Sequence, residues 1–179
     1  MTYKWFYKTP AGFSDMLMNS DGEYLTGLWF EGARDTAKHN TECETKLLPV
    51  FEQTIKWLDL YFAGQVPDFV PPYKIANLTP FREDVSKAML AIPYGATTSY
   101  GAIAEALAAK RGIAKMSSRA VGGAVGWNPI CIIIPCHRVV GANGSLTGYG
   151  GGIKNKIALL KLEGVDLTKF SVPTKGTAL

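Results

Sequence analysis

The stretch Ile130-Cys131-Ile132-Ile133-Ile134-Pro135-Cys136-His137-Arg138-Val139 decides how this chain is read. Ile130 to Pro135 is a short apolar run, expected as a buried strand that delivers Cys136 and His137 at its end. A thiolate is the reactive form of cysteine, and a lowered pKa is what populates it. A neighbouring imidazole and a nearby cation both push that way, and here His137 is one of only two histidines and Arg138 adds charge. Successive side chains of an extended segment point to opposite faces, however. Cys136 and His137 are then poorly placed for a direct dyad, and a bridging water or a sharp turn is required. From these residues alone two readings stand: a reactive thiol, or a buried inert cysteine, which is among the commonest buried residue types. A papain-like pairing would need a remote histidine, and the only other one is His39.

Downstream, Gly141 to Gly152 holds six glycines and must be a mobile or tightly turned loop. A helix is expected over Lys154–Glu163, closed by Gly164 as the residue just past its end. Upstream, Phe81–Ile92 repeats apolar residues at helical spacing and ends at Pro93-Tyr94-Gly95. Thr98 or Ser99 can cap a helix running through Ala109, with Ile103 and Leu107 on one face. Lys110–Met116 is a connection, after which Ser117 or Ser118 can cap a helix carrying Arg119 to Val125. The pair is a helix-turn-helix candidate over about residues 98–126. Its second helix contains Gly122, Gly123 and Gly126, each costing about 1 kcal/mol against Ala in a helix interior. Such a cost points to a surface where small side chains let another molecule come close.

The N-terminal part reads differently. Residues 2–9, 13–19 and 24–31 are expected as short antiparallel strands, with Asp21-Gly22 as a hairpin turn. Residues 45–62 read as a helix, with Leu47, Leu48, Phe51, Ile55, Leu58 and Phe62 at three- and four-residue steps. Gln65–Pro80 has four prolines and little periodicity, so an extended linker is expected. The fold class is thus α+β, with a small α/β domain over 1–80, linker included, and a mainly helical domain over 81–179.

Charge follows the same division. Of the 179 residues, 1–80 carry seven Lys/Arg against ten Asp/Glu, whereas 81–179 carry twelve against five. No acid lies between Glu105 and Glu163, a span that holds eight Lys and Arg. A one-sided basic field attracts polyanions, although a solvated basic face fits the same numbers. Three cysteines, with no C-x-x-C pair, are too few for a disulfide framework or a structural zinc site. His39 and Cys43 form a chance pair on a surface turn rather than a metal site, and neither metal nor cofactor is expected. No run approaches the ~20 apolar residues that span a bilayer, and the start lacks a signal core. A cytoplasmic protein without a membrane partner is expected.

The wider pattern is more specific. Asn128-Pro129, the apolar run and Pro135-Cys136-His137-Arg138-Val139-Val140 resemble the active-site signature of the O6-alkylguanine-DNA alkyltransferases, the methylated-DNA–protein-cysteine methyltransferases. Thr79-Pro80-Phe81, Ile92-Pro93-Tyr94-Gly95 and Ser99-Tyr100-Gly101-Ala102-Ile103-Ala104 resemble the family's run into its helix-turn-helix. Arg119-Ala120-Val121-Gly122-Gly123-Ala124 resembles its recognition helix, and Thr147-Gly148-Tyr149 and Glu163-Gly164 also match. The likeness is dense over 79–165 and loose before it.

What the resemblance implies is a suicide transfer. The partner is double-stranded DNA carrying O6-alkylguanine, with O4-alkylthymine a further candidate, bound by a monomer through the minor groove. Arg119 matches the arginine that replaces the flipped base, and Ser99, Tyr100, Ala120, Gly122 and Gly123 accompany it on the DNA side. Cys136 matches the alkyl acceptor, His137 the base acting through a water, and Glu163 the carboxylate that orients it. Tyr100 matches the proton donor to the departing base. Asn128 ties the recognition helix to the active-site segment. Tyr149, Gly150, Val139, Trp127 and Pro129 match the pocket wall. Trp127 and Cys131 depart from the usual family residues, as does Arg82-Glu83-Asp84-Val85-Ser86. Two alternatives remain: a non-catalytic lesion binder of the same fold, against which Cys136 stands, and a regulator reading the major groove, against which the single long polar side chain of 119–127 stands.

Overall fold

The computed structural model describes residues 1–38 and 42–173. The chain begins with strands β1 (Tyr3–Tyr7), β2 (Met16–Ser20) and β3 (Leu25–Phe30), paired antiparallel in sequence order. The expected Asp21-Gly22 turn joins β2 to β3. The Asp21 carboxylate accepts from the backbone N–H of Glu23 (3.1 Å) and Tyr24 (2.8 Å), and Gly22 takes a φ of 110°. A two-residue strand, β4 (Glu44–Thr45), lies parallel to β1, giving the order β3-β2-β1-β4. Helix α1 (Pro49–Phe62) packs on β2. Its buried stripe is Val50, Phe51, Thr54, Trp57, Leu58 and Tyr61, rotated from the expected one, and Leu47 is exposed. The proline-rich segment then runs along β3, where Leu25 N–H donates to Pro72 O and Lys74 N–H to Leu25 O, both at 2.9 Å.

The remainder is mainly helical: α2 (Pro80–Leu90), α3 (Tyr100–Arg111), α4 (Ser118–Trp127) and α5 (Ile153–Leu162). The polar residues read as caps do cap. Ser99 Oγ accepts from Ala102 N–H at 3.0 Å, and Ser117 Oγ from Ala120 N–H at 3.3 Å. Helix α3 runs two residues beyond the expected Ala109, ending at Gly112 in the left-handed region. Lys110 and Arg111 in that added turn each pair with Asp84 at 2.7 Å. Helices α3 and α4 pack on each other, and α2 packs on both.

The apolar run 130–135 is not a strand, and that expectation is corrected. Ile130 makes one isolated bridge to Leu28, after which the chain turns back on itself. Ile134 N–H donates to Ile130 O at 3.1 Å, and Ile132 adopts φ 68°. The run is apolar because it is buried, which holds for turn and strand alike. Asn128 supplies the bonds a sheet neighbour would have made: its Nδ2 donates to Ile130 O (3.3 Å) and Ile134 O (2.9 Å).

One hydrophobic cluster includes Met16, Met18, Leu28 and Phe30 from the sheet, Phe51 and Leu58 from α1, and Val85, Leu107, Val121, Ile130 and Leu159 from the later half. The core is therefore continuous across residue 80. His39 lies outside the described residues. Cys43 is half-buried beside Asn19 and Thr2.

Candidate active site

Pro135 leads into a single 3-10 turn, Cys136–Arg138, followed by strand β6 (Val139–Val140). The turn replaces the extended geometry expected at the sequence level, so Cys136 and His137 are not forced onto opposite faces. Strand β6 pairs in parallel with β5 (Thr98–Ser99), Thr98 against Val139 and Ser99 against Val140. This pairing carries the start of α3, and with it Tyr100, to the cysteine turn.

Cys136 is buried, 6% exposed. Asn128 Nδ2, at the C-terminal cap of α4, lies 3.1 Å from its Sγ. Cys131 and Asn128 beside it, with Lys156, hold the Cys136 pKa below its ordinary value against the effect of burial.

His137 and Glu163 are both buried, and Nε2 of the imidazole meets Oε1 of the carboxylate at 2.8 Å. Burial would raise the Glu163 pKa, but hydrogen bonds from His137, Arg138 and Tyr61 outweigh it and bring it to about 2. Burial pushes His137 the other way, below the usual imidazole value. The pair is thus a carboxylate and a neutral imidazole at neutral pH. An ionised carboxylate only accepts, so Nε2 carries the proton and Nδ1 keeps its lone pair. Nδ1 is buried and has no hydrogen-bond partner among the described residues.

Glu163 is placed by the end of α5. Gly164 adopts φ 77°, and Val165 N–H donates to Leu160 O and Gly164 N–H to Lys161 O, both at 3.0 Å. This is the double bond pattern of a glycine-terminated helix. It leaves Glu163 at the helix terminus, where Arg138 Nε (2.9 Å), Tyr61 Oη (2.7 Å) and Gly95 N–H (3.1 Å) converge on its two oxygens.

Tyr100 Oη donates to Thr147 O at 3.2 Å, and burial together with the nearby Cys136 raises its pKa to about 12. Tyr149 is 8% exposed and its hydroxyl has no hydrogen-bond partner among the described residues. An open groove of about 1210 Å³ is lined by Arg34, Ser99, Tyr100, Arg119, Gly122 and Trp127 among others. Arg119 and Ala120 are exposed at the start of α4, and Gly123 lines the same groove. Trp127 is stacked under the Arg82 guanidinium at 4.0 Å. Pro129 borders a separate small cavity with Arg82 and Met89 instead.

Sequence reasoning passed over four residues. Tyr61 reaches the site from α1, and its burial on the core stripe gave no sign of a polar task. Arg138 was read only as local charge, yet it spans Glu163 and Ile92 O (2.7 Å). Lys156 is wholly buried, donates to Val139 O (2.7 Å) and Thr147 O (3.3 Å), and is lowered by burial to about 8. A signal existed: Lys156 shares one helix face with Leu159, Leu160 and Glu163. Asp35 is buried against the glycine loop, where its N–H donates to Gly150 O at 3.1 Å.

Comparison with known proteins agrees with this geometry. Residues 80–165 match the family model described as 6-O-methylguanine DNA methyltransferase, DNA binding domain. A methylated-DNA–protein-cysteine methyltransferase of Mycobacterium tuberculosis is 49% identical over 124 residues, 67% of this chain and 72% of that protein. The crystal structure of the O6-methylguanine methyltransferase of the same organism superposes with a TM-score of 0.75 at 39% identity, covering 94% of this chain and 98% of that one. The Mycobacterium tuberculosis OGT solved in complex with DNA gives 0.74 at 38% identity, each chain covered to 94%. A Haemophilus influenzae protein of the same name is 37% identical over 161 residues, 90% of this chain and 86% of its own length. On that coverage, with Cys136, His137 and Glu163 gathered in one buried site, the chain belongs to the methylated-DNA–protein-cysteine methyltransferase family.

Proposed function

We propose that this protein repairs O6-alkylguanine in duplex DNA by direct reversal, moving the alkyl group onto its own Cys136 in one irreversible transfer. The observation that carries the reading is the orientation of His137. Its Nε2–H is committed to Glu163, and the lone pair on Nδ1 is left to accept a proton. A water between Nδ1 and Cys136 relays the thiol proton to the imidazole, and Glu163 stabilises the cation that results.

The thiolate attacks the alkyl carbon, the S–C bond forms, and the C–O6 bond breaks with its electron pair leaving on guanine. Tyr100 supplies the proton the departing base requires. Its raised pKa keeps the hydroxyl protonated until that charge develops. The thioether has no low-energy route back, so one molecule performs one repair.

Delivery of the base belongs to the groove. The exposed Arg119 fills the stack when the nucleotide rotates out, and Gly122 and Gly123 let α4 lie close to a narrow minor groove. Tyr149, Gly150 and Val139 face the flipped base. The relative solved with DNA supports DNA as the partner. Minor-groove entry, a monomeric state and a cytoplasmic setting belong to the same proposal.

The test is intact-protein mass spectrometry after incubation with a duplex containing O6-methylguanine. One methyl group should appear per molecule, located to Cys136 and without turnover. Tight lesion binding with no adduct would favour the non-catalytic alternative.

A further inference from the structure

Tyr61 comes from the core stripe of α1, and only 1% of it is exposed. Its ring is held by aromatic neighbours. It stacks on Trp57 with centroids 5.4 Å apart and planes at 9°, and meets Phe62 and Tyr94 edge-on at 5.6 and 6.1 Å. Phenylalanine would serve that packing as well, and a buried hydroxyl costs free energy unless it is bonded. Here the bond is to a charge: Oη donates to Glu163 Oε1 at 2.7 Å and lies 3.4 Å from His137 Nε2. Burial, and after it the Glu163 charge, push the phenol pKa well above its ordinary value, so the hydroxyl keeps its proton at neutral pH.

The same Oε1 accepts from His137 Nε2 at 2.8 Å. Arg138 Nη2 donates to it as well, at 2.9 Å, while Oε2 takes Arg138 Nε and the Gly95 N–H. Donors on one carboxylate oxygen compete for its charge. A buried carboxylate facing an imidazole draws it towards imidazolium, and each further donor on that oxygen weakens the pull. Unlike Arg138, Tyr61 is neutral, so its hydroxyl can be removed without stranding a charge. The other charged or titratable groups near the pair are committed elsewhere. Lys156 of α5 donates to Val139 O and Thr147 O, Tyr94 of the turn before α3 to Leu162 O, and the Cys136 sulfur meets Asn128.

We propose that Tyr61 is a positioning residue for the transfer reaction: by donating to Glu163 Oε1 it fixes the oxygen that His137 meets and draws charge from it, which keeps the imidazole a free base at neutral pH. The N-terminal half thereby sets the protonation of a group in the other half. A relay base must be unprotonated before it can take a proton, so the fraction of protein ready to react depends on this bond. The 3.4 Å contact with Nε2 works in the opposite sense. It lies beyond the ordinary range of N–H···O bonds, so the 2.7 Å bond decides the sign. The consequence for repair rests on Cys136 being the acceptor and His137 its base; the effect on the imidazole does not.

The experiment uses the full chain and reads His137 twice. In Tyr61→Phe, which removes one oxygen and keeps the ring, single-turnover methyl transfer from a duplex containing O6-methylguanine is followed across pH. The acid-side midpoint should rise by about half a unit to one unit, roughly a three- to tenfold gain in the proton affinity of the imidazole. This direction is opposite to the one that loss of the Glu163 charge produces. The second reading needs no substrate. The chain has two histidines, and in a His39→Gln background the imidazole C–H resonance of His137 titrates alone. It should shift by the same amount. A ring-fluorinated tyrosine incorporated in place of Tyr61, a stronger donor of nearly the same size, should move both midpoints down, and it decides the matter should the Phe variant unfold before it titrates. Midpoints that stay in place or move the other way in either protein would overturn the proposal. A uniform loss of rate at every pH with unmoved midpoints is what a merely structural phenol gives, and it overturns it too. An imidazole titration that moves as expected in a protein that never accepts methyl would leave the effect of Tyr61 on His137 standing and defeat the functional reading instead.

Discussion

Four groups converge on the Glu163 carboxylate: His137 Nε2, the Arg138 guanidinium, Tyr61 Oη and the Gly95 N–H. Each prefers an acceptor carrying full negative charge, which explains why burial fails to neutralise it. The same carboxylate sets the working range of His137. Burial disfavours the imidazolium, while the hydrogen bond and charge of Glu163 favour it. The base therefore stays neutral to a pH below the ~6.5 of a solvated imidazole. The single-turnover rate should fall on the acid side with a midpoint under that value. In Glu163→Gln the favourable terms on the imidazolium are lost, so the midpoint should move further down. The rate on the plateau should drop as well, since nothing then steadies the imidazolium as it forms. A pH series of quenched methyl-transfer reactions reads both, and an upward shift would contradict the assigned pairing.

At the scale of elements, α4 combines a structural cost with a clear surface. A Cβ built on Gly123 would meet nothing within 4 Å, and Gly123 has no left-handed φ. Gly123→Ala should therefore stabilise the helix by up to about 1 kcal/mol. On the proposed docking of α4 it should also weaken binding to an O6-methylguanine duplex, because the added methyl would stand between the helix and the DNA. Thermal melting and a binding titration together check this, and equal affinity would remove α4 from the interface. Helices were largely legible because their signals are local: Ser99, Ser117 and Gly164 act within one turn of their own positions. The two-residue strands β4, β5 and β6 were not, since two residues have no period and the Thr98–Val139 pairing joins positions far apart in the chain. The apolar run 130–135 misled for a related reason. Hydrophobicity reported its burial, while its shape was decided by one polar side chain, Asn128. The roles proposed for Cys136, His137 and Glu163 come from the family pattern, which their local sequence alone does not give. Tyr61, on the core face of α1, was legible by neither route.

For the molecule as a whole, Glu163 is one of the places where the two halves of the chain meet in polar terms. Tyr61 comes from α1 of the N-terminal part, Gly95 from the turn before α3, His137 and Arg138 from the cysteine turn, and Glu163 itself from the end of α5. The sequence-level division at residue 80 is bridged here, as it is by the continuous apolar core. Acid should test that bridge directly. The folded pKa of Glu163, about 2, lies below the 4.5 of an unperturbed glutamate. In that interval the unfolded chain binds a proton that the folded one does not, so stability rises with pH across it. The contribution is fully present above pH 4.5 and is lost as pH falls towards about 2. Its size is ~2 kcal/mol after discounting the partly screened Arg138 contact. Denaturant unfolding at a series of pH values should show this loss in the wild type. In Glu163→Gln the protein should be less stable at pH 7 by ~3 kcal/mol, because Arg138 keeps a mostly buried charge without its counter-ion. Its curve should also be flatter between pH 5 and pH 2 by about the wild-type contribution. Parallel curves for the two proteins would mean that the carboxylate holds the site without holding the fold.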